Sequence, residues 1–104
     1  MASIPKRLKI GHLSIVLRKR KACDFDGLAD FERSTLTIRS GLARDRERQV
    51  LVHECLHFLC DNAGIEMSEE HTDALASGLL CLLRDNESVV NYLCEKEKGK
   101  RDAK

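Results

Sequence analysis

The sequence predicts a small single domain of α+β class: a short antiparallel or mixed sheet packed on one long helix, with two further helices on the C-terminal side. Three observations predict it. The chain has 104 residues, enough for one modest core and too few for two. From Arg7 to Arg39 apolar residues tend to fall at alternate positions, and beyond Leu42 they recur at helical spacing. No repeat or linker-like stretch divides the chain, so the domain is assigned to residues 1–98 and a disordered basic tail to 99–104.

Between Arg7 and Arg18 the loose alternation of Leu8, Ile10, Ile15 and Leu17 reads as one or two strands bent at Gly11-His12. The basic run Arg18-Lys19-Arg20-Lys21 has no aromatic partner and reads as a solvated strand end. Asp24 to Gly27 supplies turn chemistry. Leu28–Arg33 and Thr35–Arg39 are period-two segments around Ser34, a hairpin or two neighbouring antiparallel strands, with Leu36 and Ile38 turned inward.

After Ser40-Gly41 a helix is expected from Leu42 to about Asn62, stopped by Gly64. Its first turns are polar through Arg44, Asp45, Arg46, Glu47 and Arg48. Val52, Leu56, Leu59, Cys60 and Ala63 form a stripe expected to pack on the sheet, with His53, Glu54 and His57 along its edge. Ser68 is placed to cap a second helix, Glu69 to about Arg84, with Ala76, Leu79, Leu80 and Leu83 on its apolar side. Asp85-Asn86 breaks it. A third helix, Glu87 to about Glu97, is expected to turn Val89, Val90, Leu93 and Cys94 inward, together with Tyr92.

Charged residues make up 34% of the chain and aromatics 4%, with no Trp, so the core must come from Leu, Ile, Val, Ala and Cys. A net charge of +1 gives no global field for nucleic acid or an anionic membrane. The five cysteines are odd in number and show no C-x-x-C pair. They read as reduced thiols, and with no secretory leader recognisable the expected compartment is the cytoplasm. The longest apolar runs, such as Gly78 to Leu83, are far too short for a bilayer.

The chemistry-bearing stretch is His53-Glu54-Cys55-Leu56-His57. Histidines four apart lie about 40° apart around a helix axis, so both imidazoles can reach one metal ion. A carboxylate beside the first histidine can take a proton from water, which is why H-E-x-x-H on a helix points to zinc hydrolysis. A catalytic zinc site needs a third protein ligand, and the start of the second helix offers Glu69, Glu70, His71 and Asp73. Glu69 and Asp73 share a helix face, so Glu69 as ligand with Asp73 behind a ligand histidine is the preferred pair. Glu70 and His71 are the alternatives, and Glu69 and Glu70 also suit a helix N-terminus as plain dipole partners.

The stretch Thr35 to Asn86 carries Leu51-Val52-His53-Glu54-Cys55-Leu56-His57, then Glu69 to Asp73, Leu75-Ala76 and Arg84-Asp85-Asn86. It resembles the glutamate-zincins, or gluzincins, and more specifically the very small phage-type metallopeptidases related to the ImmA/IrrE group. The resemblance implies a zincin-like domain in which His53, His57 and Glu69 bind Zn2+ and Glu54 is general base and acid. It also implies an edge strand above the motif helix that holds an extended peptide, and, if phage-encoded, action in a host cytoplasm. Relatives use a further His or Tyr to stabilise the transition state, and Tyr92, His71 and His12 are the residues of that type here.

Two functions follow. One is a zinc metallopeptidase acting on a peptide or protein substrate. The other is a non-catalytic zinc-containing binding or regulatory module of the same fold, using Arg44, Arg46, Arg48 and Arg18 to Lys21 toward an acidic partner. Intact Glu54 favours the first, because a structural zinc closes with four ligands and needs no adjacent base.

Overall fold

The computed structural model describes residues 3–21 and 23–96. Strands β1 (Arg7–Ile10), β2 (Leu13–Arg20), β3 (Gly27–Asp30) and β4 (Thr35–Arg39) precede helices α1 (Arg44–Ala63), α2 (Glu69–Asp85) and α3 (Glu87–Cys94). The tail expected over 99–104 lies outside the described residues, and the third helix ends at Cys94, with Glu95 already extended, short of the Glu97 expected.

The sheet has the order β1-β2-β4-β3 and is mixed. β1 and β2 form an antiparallel hairpin whose turn needs positive φ at Gly11, +60°. β2 and β4 run parallel, a pairing that period-two alternation cannot distinguish from antiparallel. β3 pairs antiparallel with β4 and forms an outer edge of the sheet. The β3–β4 hairpin is shorter than expected: Phe31 to Ser34 are a turn, with Ser34 at φ 52°, so β3 stops at Asp30.

Ile15 and Leu17 of β2 and Leu36 and Ile38 of β4 project to one face and are buried there with Ile10, Val50 and Phe58. Thr37, on the opposite face of β4, is also buried, level with Arg18 and Leu28 of the adjoining strands.

α1 lies between the sheet and α2. Gly64 ends it at φ 71°, with its N–H donating to the Asp61 and Cys60 carbonyls. Four residues later Ser68 caps α2, its hydroxyl accepting the His71 N–H at 3.0 Å. That short link turns α2 back across α1.

The buried face of α1 differs from the expected stripe. Val50, Glu54 and Phe58, at i, i+4 and i+8, are buried together with Leu56 of the expected stripe, whereas Leu59 and Ala63 are exposed and Val52 and Cys60 only half-buried. Because α1 is covered on two sides, apolar residues surround its middle turns and periodicity alone does not choose between them. On α2, Ala76 is buried, Leu79 and Leu80 half-buried and Leu83 exposed. α3 is a correction: it packs on α2, but Val89, Leu93 and Cys94 are exposed and Val90 only half-buried, so the helix buries no residue fully.

Candidate functional site

His53 and His57 stand one turn apart on α1, and Glu69 opens the first turn of α2 opposite them. Their side chains meet: the two Nε2 atoms are 3.1 Å apart, Glu69 Oε1 is 3.0 Å from His53 Nε2, and Glu69 Oε2 is 2.9 Å from His57 Nε2. Glu70 and His71, the alternatives on the same turn, are not in this group. Ligand atoms of a tetrahedral zinc ion, each about 2.0–2.2 Å from the metal, stand roughly 3.3–3.5 Å apart. The observed separations are a few tenths of an ångström shorter, with a different Glu69 oxygen facing each histidine.

The donor chemistry fits too. His53 Nδ1 lies 3.3 Å from Asp73 Oδ1; a proton carried on that nitrogen would leave the Nε2 lone pair facing the group. Asp73 is itself fixed, because Gln49 Nε2 donates to Asp73 Oδ1 and to Ser77 Oγ, each at 3.0 Å. Gln49 precedes His53 by four residues and shares its helix face. The chain of contacts continues outward: Arg46 donates to the Gln49 side-chain oxygen and to Asp26 Oδ2 at 2.9 and 3.0 Å, and Asp26 also pairs with Arg39 at 2.9 Å.

Glu54 is 7% exposed, set between Val50 and Phe58 on the face of α1 turned to the sheet. Burial raises its pKa above the usual carboxylate value, the two histidines pull it down, and Glu69 adds a smaller upward push. The neighbouring Cys55 thiol is pushed up to about 11, mainly by burial and then by the Glu54 charge, and is not a nucleophile at neutral pH.

What makes room for Glu54 is Gly27, the first residue of β3. A Cβ on Gly27 would lie 2.5 Å from Val50 Cγ1 and 2.9 Å from both Cγ and Oε2 of Glu54. Glycine is therefore needed for close approach of the edge strand to the carboxylate. Three adjoining cavities follow this edge. One of about 400 Å3 is lined by residues including Gly27, His53, Glu54 and Glu69, one of about 290 Å3 by Leu28, Ala29, Glu54 and His57 among others, and one of about 590 Å3 by residues including Phe31, His57, Ile65 and Met67.

The side chains expected to stabilise a transition state do not gather here. Tyr92 is 77% exposed on α3, and neither it, His71 nor His12 lines these cavities. The cation that does line the first cavity is Arg46, already held by Asp26 and Gln49. Gly27, Gln49 and Asp26 were legible only as turn or helix residues; Gln49's spacing from His53 was the one signal that could have singled it out. Compared with known proteins, the chain matches no family model, no curated protein and no solved structure.

Proposed function

We propose that the protein is a zinc-dependent metallopeptidase. One observation carries the proposal: His53, His57 and Glu69 converge on one point, with the buried carboxyl of Glu54 beside them in a cleft that follows the edge of β3. His53, His57 and Glu69 would hold the ion, and the exposed side of Glu69 leaves room for water and substrate. Bound there, zinc supplies Lewis acidity, which lowers the pKa of water toward neutrality and polarises a carbonyl.

The chain's own residues do the rest. Glu54 takes a proton from the attacking water and returns it to the leaving amine, a role suited to a carboxyl whose pKa is raised by burial. Asp73 and Gln49 orient the His53 ring. The outer edge of β3 offers backbone groups to an extended peptide, so recognition reads main chain before side chain.

A binding module without chemistry fits less well. Part of its basic surface is engaged within the domain, Lys19 with Glu47, Arg46 with Asp26 and Arg48 with Asp45. The purified chain should hold about one zinc, and His53→Ala or His57→Ala should release most of it. Incubation of the zinc-loaded protein with a mixed peptide library, read by mass spectrometry, tests the activity. The account predicts new termini that disappear on chelation and return with zinc; a zinc-loaded protein that cleaves nothing would favour the module.

A further inference from the structure

We infer that the cavity on the His57 side of the cleft is a subsite for a lysine or arginine side chain of an extended peptide. The inference rests on the peptidase reading and names the substrate that such a site would select. The cavity, of about 590 Å3, shares Phe31 and His57 with the smaller one that Glu54 lines, so a chain held at that carboxyl continues into it. Glu54 is 7% exposed and has no hydrogen-bond partner among the described residues, as expected of a polar group whose partner is a ligand in the cleft.

Two features of the cavity together select a long basic side chain. The first is an apolar wall: Phe31 is 45% and Ile65 59% exposed, and Met67 is half-buried. The Phe31 ring stands edge-on against Phe58, with centroids 5.2 Å apart, and the Ile65 N–H donates to the Cys60 carbonyl at 2.9 Å, so the wall is formed before anything binds. The second is charge. Asp61 and Glu66 line the same cavity, both exposed, and neither carboxylate has a partner among the described residues, while no lysine or arginine among them lines it. The methylene groups of a basic side chain can lie on Phe31 and Ile65 with the cationic tip at these carboxylates. An aliphatic side chain would satisfy the wall alone, and an acidic one would be repelled.

The direction of the peptide follows from β3. The three cavities succeed one another along this strand in chain order, from Asp26 and Gly27 to Phe31, and antiparallel pairing is the more stable per residue. A peptide added antiparallel to β3 runs from Phe31 toward Gly27, which puts the basic residue on the N-terminal side of the bond to be cut.

Alanine-based peptides carrying lysine, norleucine or glutamate at one position test the subsite apart from the reaction. Binding is read by fluorescence anisotropy on Glu54→Gln with zinc present, and cleavage by mass spectrometry on the wild type. The lysine peptide should bind about fivefold more tightly than the norleucine peptide and the glutamate peptide more weakly than both, with the lysine advantage falling below about twofold in about 0.5 M salt. Asp61→Lys with Glu66→Lys, both at exposed positions, should reverse the order of lysine and glutamate. No binding, equal binding of lysine and norleucine, or an order that the charge reversal leaves unchanged would overturn the subsite, whether or not peptides are cleaved. Lysine-selective binding without cleavage by the wild type would uphold the subsite and overturn the peptidase. Cuts that leave the lysine on their C-terminal side would overturn the antiparallel direction.

Discussion

Glu54 combines two conditions that oppose each other, a buried position and a carboxylate. A buried charge costs desolvation free energy that neighbouring positive or hydrogen-bonding groups must offset. Among the described residues no side chain donates a hydrogen bond to it, and the histidines lower its pKa without cancelling the effect of burial. Replacing it with the neutral amide should therefore leave thermal stability equal to the wild type or higher, as measured by calorimetry. Gly27 is the complementary residue. Gly27→Ala forces β3 away from Val50 and Glu54 and should cost about 1–3 kcal/mol, as overpacking does. Because the atoms nearest a Cβ at Gly27 belong to Val50 and Glu54 and not to the proposed ligands, metal content should stay near the wild-type level while cleavage falls. Loss of zinc in Gly27→Ala would show that the strand positions the ligands and not the base.

At the scale of elements, the site is the junction of α1 and α2, and single substitutions separate the roles of residues on one turn. Glu69→Ala should weaken zinc binding far more than Glu70→Ala, since only Glu69 reaches both histidines. Asp73→Ala should cost roughly 10 to 100-fold in zinc affinity by freeing the His53 ring, and Gln49→Ala less, because it acts through Asp73. Competition titration with a chromophoric chelator measures all four. The same junction shows what could be read from the residues. Ser68, Gly64 and the i, i+4 spacings located the helix ends and placed His53, His57, Glu69 and Asp73 together, because caps and helix periodicity are local. The parallel β2–β4 pairing, the buried face of α1 and the exposure of α3 were not legible. Each depends on which surface another element covers, and alternation or amphipathicity in one segment does not carry that information.

Across the whole molecule, His53 and His57 stand on the helix that packs on the sheet and Glu69 on the helix that leads to α3, so a metal held by all three would couple the two. A ligand that binds only the folded chain adds about 2.7 kcal/mol at a hundredfold excess over its dissociation constant. Chelation should thus lower the melting temperature by about 10 °C or more, reversibly on return of zinc. Equal stability with and without chelator would mean that no metal is held.

The most direct measurement of the central claim compares Glu54→Gln with the wild type in zinc content and peptide cleavage on the same preparations. The amide keeps the size of the side chain and lacks the basic carboxylate. The account predicts unchanged zinc, about one per chain, with cleavage lower by roughly 100-fold or more. Cleavage that persists at the wild-type rate in Glu54→Gln would contradict it.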